Sequence, residues 1–165
     1  MASTRPAMLV EAIASLMTSP MQIALDEACR AAALGEVPVG AVVTDAQGAV
    51  LAVAANQVEA EQNPFLHAEF LALSAARAAR GRKYLADCTL TVTLEPCAFC
   101  AAAIAALRVG RLVFGAYDPK TGAVEHGPRL FSQPTTHHRP EVIGGVREQE
   151  SAALLKAFFE AKRDA

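Results

Sequence analysis

Two short stretches hold the residue types that chemistry needs. Pro96-Cys97-x-x-Cys100 sets two thiols three positions apart, and His67-Ala68-Glu69 sets an imidazole and a carboxyl two apart. Proline is at home in the first turn of a helix, so Pro96 predicts a helix start there, with both thiols on one face at its N-terminus. Two thiolates and one imidazole make three zinc ligands and leave the fourth tetrahedral position to water, the arrangement of a catalytic centre. Taken alone, the Cys pair also fits a thioredoxin-like redox pair, half of a structural zinc site, or coincidence. The His-x-Glu upstream favours catalytic zinc, as does the setting of each motif, a loop or strand that runs into a helical pattern. Cys29 and Cys88 stand alone.

The remaining residue types follow from the same chemistry. Zinc acidifies its bound water towards neutral pH, which supplies a nucleophile. On a regular helix Glu69 would point away from His67. In the first turn, where loop meets helix, it can lean over the metal and act as a proton shuttle. It would take the water's proton and hand it on to a substrate held beside the metal. Helix N-termini at both motifs favour thiolates and developing negative charge. Without Cys97 and Cys100, Glu69 would read as a solvated first-turn acid.

The elements that must position these residues fit one domain, since the chain has 165 residues. It is 53% hydrophobic, with mean hydropathy +0.26, and alanine supplies much of that. The net charge of −2 gives no global basic field, so any RNA contact must use a local patch, and no DNA partner is expected. Four cysteines, two of them claimed by the metal, do not make a disulfide framework, and a reducing cytoplasm fits. No apolar run reaches the roughly 18 residues of a membrane span, so no membrane association is expected. Residues 1–19 read as an N-terminal extension. The run 7–17 is apolar except for Glu11 and Ser15, but lacks the clean core and cleavage site of a signal peptide. Met8, Met17 and Met21 are alternative starts.

Ser19-Pro20-Met21-Gln22 predicts a capped helix start, with Gln22 completing a capping box. Met21, Ala24, Leu25, Ala28 and Ala32 form its apolar stripe, Cys29 is expected on or near the packed face, and Gly35 ends it. Residues 37–44 and 50–55 read as a hairpin around a turn at 45–48, and their apolar runs suggest a sheet covered on both faces. Asn56 leaves the second strand and precedes the polar loop to His67. A helix is predicted over 66–80, with Phe70, Leu71, Leu73, Ala76 and Ala79 available to pack and Gly81 at its end. Residues 89–94 alternate as a strand and deliver Cys97 to a helix over 97–107. A strand at 111–116 follows, parallel to it through a right-handed crossover. Residues 118–134 are loop with one helical turn, 141–143 a short strand, and 146–162 an amphipathic helix with Ala153, Leu154, Ala157, Phe158 and Ala161 apolar.

With these residues placed, the chain resembles the bacterial tRNA-specific adenosine deaminases of the cytidine deaminase-like superfamily. His-x-Glu with Pro-Cys-x-x-Cys is the zinc deaminase signature. The likeness runs from about residue 21 to 163. It also takes in Glu36-Val37-Pro38-Val39-Gly40-Ala41-Val42, Thr91 to Cys97, Val113-Phe114-Gly115-Ala116, Asp118-x-Lys120-Thr121-Gly122 and His138-Arg139. It implies a three-layer α/β/α domain over 20–165 with a five-stranded mixed sheet, one zinc per subunit, and a homodimer. It implies hydrolysis of adenosine to inosine at the wobble position of a tRNA anticodon loop. His67, Cys97 and Cys100 would bind zinc, Glu69 would shuttle protons, and Asn56, Val37, Ala68 and Pro96 would contact substrate. Two places depart from the pattern. Phe65-Leu66 stand where the family carries Thr and Ala, and Phe99 where it often carries Met. That departure and the net charge motivate an alternative, a deaminase of free bases or nucleosides such as guanine or cytosine. A third reading is a non-catalytic RNA-binding subunit, against which the intact Glu69 argues. For stacking and phosphate contact the candidates are Phe65, Phe99, Tyr117, Lys120, Arg129, His137, His138, Arg139 and Arg163. His126, His137 and His138 lack ligand spacing and are expected at the surface or facing RNA.

Overall fold

The computed structural model describes residues 18–165. The expected extension falls outside the described residues, apart from Thr18 and Ser19. Helix α1 (Pro20–Ala33) opens with the Ser19 hydroxyl accepting the Gln22 N–H at 3.1 Å and Pro20 in the first turn. Only half of the expected capping box forms. The Gln22 side chain donates to Asp26 and accepts from Arg147 at 2.7 Å, which ties α1 to the start of the last helix. Ala31, rather than Ala32, completes the buried stripe, and Cys29 lies on the exposed side, contrary to expectation.

Strand β1 (Gly40–Thr44) is buried throughout and pairs antiparallel with β2 (Val50–Ala55). It begins later than predicted because the Val39 N–H turns back on the Val37 carbonyl at 2.8 Å and Pro38 has no N–H to give. Gly40 lies so close to α1 that a Cβ would sit 2.0 Å from the Ala24 carbonyl oxygen, so only glycine fits. Strand β2 forms the sheet edge and is only partly covered, so its apolar run overstated its burial. Helix α2 (Ala68–Arg80) ends on Gly81 in the left-handed conformation. Its buried face is Ala68, Glu69, Ala72, Leu73 and Ala76, while Ala79 is exposed.

Strand β3 (Thr89–Leu94) leads into α3 (Ala98–Ala106), then β4 (Arg111–Ala116), a 3-10 turn (Leu130–Ser132), β5 (Glu141–Ile143) and α4 (Glu148–Arg163). The sheet order is β2-β1-β3-β4-β5, antiparallel across β1 and parallel from β3 onwards, so the sheet is mixed and five-stranded as expected. Helices α1 and α4 cover one face, and α2 and α3 the other, which gives three layers. Between β3 and α3 and their neighbours lie Leu73, Leu90, Ile104, Leu112 and Phe114, all fully buried. Each contributes about 1.5–3 kcal/mol of hydrophobic stabilisation. In α4 only Ser151 is fully buried. Leu154, Leu155 and Phe158 are half-buried, while Ala153, Ala157 and Ala161 face solvent, so the seated stripe is shifted from the predicted one.

Candidate active site

Strand β3 ends at Leu94, and two residues later the chain turns into α3. Cys97 is the N-cap of α3 and Cys100 lies in its first turn. Pro96 therefore precedes the helix rather than opening it. Across from it, His67 is the N-cap of α2 and Glu69 lies in that first turn. Two helix N-termini thus face one point, as the two motifs required. The Nδ1 of His67 lies 3.6 Å from the Sγ of Cys97 and 3.4 Å from that of Cys100. The three ligand atoms fall within 4.8 Å of one another, the one such group of donors found among the described residues. Around a tetrahedral zinc, with Zn–S of about 2.3 Å and Zn–N of about 2.0–2.1 Å, sulfur and nitrogen sit about 3.6 Å apart. The observed separations fit that ion.

Electrostatics divide the two thiols. Hydrogen bonding to Cys100, and then to His67, outweighs burial and holds Cys97 down at about 4. Cys100 is pushed up by its bond to Cys97, by burial and by the charge of Glu69. A metal held here would need both thiols deprotonated, and its binding would release protons. The bond to Cys97 also raises the His67 imidazole. Glu69 is buried on α2, and that burial pushes its carboxyl up to about 7, the range in which a group both takes and gives protons near neutral pH.

His67, Glu69 and Cys97 open into a pocket of about 210 Å³, whose walls include Val37, Val39, Asn56, Leu94, Asp118 and Thr121. The Asn56 carboxamide accepts the Ala68 N–H at 2.8 Å and donates to the Val37 carbonyl at 3.4 Å. That leaves one N–H and one oxygen lone pair for a ligand. Ala68 and Pro96 are buried beside His67 and Cys97 and do not form the wall surface. A larger groove of about 720 Å³ shares Val37, Leu94, Asp118 and Thr121 with the pocket and runs along α4 past Tyr117, Lys120, Lys156, Phe159, Lys162 and Arg163.

Across residues 15–116 the chain matches the model of the cytidine and deoxycytidylate deaminase zinc-binding region. It is 48% identical over 143 residues to the tRNA-specific adenosine deaminase of Agrobacterium fabrum, covering 87% of this chain and 93% of that one. The chain belongs to the tRNA-specific adenosine deaminases. A solved structure from studies of A-to-I editing by tRNA:A34 deaminases at the wobble position of transfer RNA superimposes with a TM-score of 0.80 at 47% identity. The match covers 82% of this chain and 98% of that one. A guanine deaminase from Bacillus subtilis is similar at a lower level, with TM-score 0.59, 27% identity, and 88% and 92% coverage. Like other members of its deaminase family, the chain has the donor set of a zinc enzyme.

Of the residues proposed for RNA contact, Tyr117, Lys120 and Arg163 converge on the groove. Phe99 instead packs at a tilt against both Phe65 and Phe70, with ring centroids 5.5 and 5.4 Å apart, away from the groove. Two histidines expected at the surface have structural partners. His126 is bonded to Glu95 at 2.8 Å, and His138 donates to the Val109 carbonyl at 2.7 Å. Sequence reasoning assigned no role to Glu36 or Glu95. Both carboxyls are buried and each accepts backbone N–H groups of a loop at the pocket, Glu36 those of Glu59 and Ala60, Glu95 those of Asp118 and 124–126. The signal was present, because an acid inside an apolar run must find partners when buried.

Proposed function

We propose that the domain over residues 20–165 is a cytoplasmic, homodimeric enzyme in which His67, Cys97 and Cys100 hold zinc. In that reading it hydrolyses adenosine to inosine at the wobble position of a tRNA. Zinc in that site supplies a water acidified towards neutral pH. Glu69 would take one proton from that water as its oxygen bonds to C6 and place it on the adjacent ring nitrogen. It would then take the remaining hydroxyl proton and give it to the C6 amine, so that the C–N bond breaks, ammonia leaves and a carbonyl oxygen stays on C6. Water thus replaces ammonia at C6. Asn56 and Val37 hold the base, while Ala68 and Pro96 act from behind the wall, beside His67 and Cys97. The pocket is smaller than the roughly 300–1,000 Å³ of drug-sized ligand sites, which suits one flipped base rather than a stretch of chain.

What carries the tRNA reading over the free-base one is the groove that opens from this pocket. Lys120, Lys156, Lys162 and Arg163 line it beside a single carboxylate, Asp118, in a chain whose net charge is −2. Tyr117 and Phe159, 39% and 45% exposed, lie among them as flat surfaces for bases. Cations spaced along aromatic faces are what a single-stranded RNA loop requires. The packed Phe65, Phe70 and Phe99, with Phe65 58% exposed, supply an apolar face for the second copy. Among the described residues no helix is long and apolar enough to cross a membrane.

The deciding experiment incubates purified protein with a tRNA carrying adenosine at the wobble position and measures inosine. Inosine at that position is expected. Ammonia release from guanine or cytosine without inosine in tRNA would overturn the reading. Sedimentation tests the dimer, for which twice the monomer mass is expected.

A further inference from the structure

Five N–H donors converge on one buried side chain two residues ahead of Cys97. The Glu95 Oε2 accepts the backbone N–H groups of Val124, Glu125 and His126 at 3.2, 3.1 and 3.2 Å. Its Oε1 accepts the backbone N–H of Asp118 at 3.1 Å and, since a carboxylate has no hydrogen to offer, the Nδ1–H of His126 at 2.8 Å. The side chain is completely buried. A charge so placed is stabilised by charge-assisted bonds, and losing it leaves buried donors without partners.

The loop wound around this carboxylate is also the loop that walls the pocket. The Ala123 N–H donates to the Pro96 carbonyl at 2.9 Å, and Gly122 bridges to Cys97 itself. A Cβ on Gly122 would meet Glu95 Oε2 at 2.5 Å, so the backbone passes directly over the acid. The near end of the loop is shaped by Asp118, whose carboxylate accepts the N–H groups of Lys120 and Thr121 and the Thr121 hydroxyl. Asp118 and Thr121 then face the pocket, and Lys120 the groove.

We infer that Glu95 is a positioning residue for substrate, fixing residues 118–126 against the Cys97 turn so that Asp118, Lys120 and Thr121 meet the RNA. Its carboxylate is spent on the loop's N–H groups, so it acts through that loop. This rests on the tRNA deaminase reading, and the test separates the two. Glu95→Gln keeps the side-chain size but turns an amide NH₂ towards donors, so at least one buried N–H loses its acceptor. KM for an anticodon stem-loop should rise about tenfold, with kcat within about threefold and one zinc per chain retained. Hydrogen exchange at the amides of 118 and 124–126 should quicken by about tenfold over wild type. His126→Ala removes one donor and leaves the backbone bonds, so KM and exchange should move the same way by about threefold. If Glu95→Gln does not fold, His126→Ala decides alone. Unchanged KM and exchange would overturn the inference, as would loss of zinc or a fall in kcat at constant KM. A wild-type chain that makes no inosine would sink the functional reading, with the exchange rates still reporting on Glu95.

Discussion

His67 and Cys97 each cap a different helix, and their ligand atoms lie 3.6 Å apart. The site therefore depends on α2 and α3 docking with their first turns together. Cys97→Ala should lose zinc and turnover. Glu69→Ala should keep zinc by elemental analysis and lose at least about 10²-fold in kcat, the usual contribution of a positioned acid–base group. Zinc loss in Glu69→Ala would make that carboxyl part of the metal site instead.

Removing the metal should change thiol chemistry in a countable way. Cys29 is exposed, whereas Cys88 is buried and burial raises its thiol above the ordinary value. With zinc bound, a thiol reagent should find Cys29 quickly and Cys88 slowly. After chelation the half-exposed Cys97, held near 4, joins the fast class. A fast count that does not rise on chelation would speak against Cys97 as a ligand.

The groove should behave as a phosphate track. Lys156→Glu and Lys162→Glu should raise KM for tRNA without altering zinc content. Each phosphate deprived of its cation should lower the slope of log affinity against log salt by about 1. A slope equal to wild type in both variants would place the RNA elsewhere.

Asn56 links β2 to the first turn of α2 through the Ala68 N–H. Asn56→Ala leaves that buried donor without an acceptor, which should cost about 1–3 kcal/mol of stability by denaturant titration. If Asn56 also holds the base, KM should rise beyond what the loss of stability explains.

At the far end of α2, Arg80 donates to Asp87 at 2.7 Å and holds that carboxyl below its usual range. A depressed carboxyl stabilises the fold above its unfolded pKa of about 3.9, and the contribution disappears as pH falls through the folded value. Because the Asp87 carboxylate is open to solvent, that contribution should be small. Chemical denaturation of Asp87→Asn should show that deficit at neutral pH and match wild type in strong acid. A deficit that persists in strong acid would assign it to packing.

The cluster of His67, Cys97 and Cys100 was almost completely legible in the sequence, because both motifs sit where an element changes type and the spacing there is local. Strands β2 to β5 were legible to the residue for the same reason, each being bounded by turn residues. What the sequence hid was tertiary. Pro38 and the tight turn at Val39 delay β1, an edge position exposes β2, and Cys29 falls on the open side of α1 by the rotation of one helix. The same holds for Glu36 and Glu95, whose partners are backbone amides 23 to 31 residues further along, which no local pattern encodes. The groove was half visible: Tyr117, Lys120 and Arg163 were candidates, but the helix register that adds Lys156, Phe159 and Lys162 comes from how α4 seats.

Glu36 and Glu95 fasten two walls of the cleft to the protein's interior. Walls tethered in that manner have little freedom to mould themselves around a guest, so adaptation falls to the RNA. Freeing one nucleotide from its neighbours takes a few kcal/mol, least where the loop is already loosely stacked. Selection among tRNAs can therefore act on how readily an anticodon loop everts its first base as well as on which letters it carries.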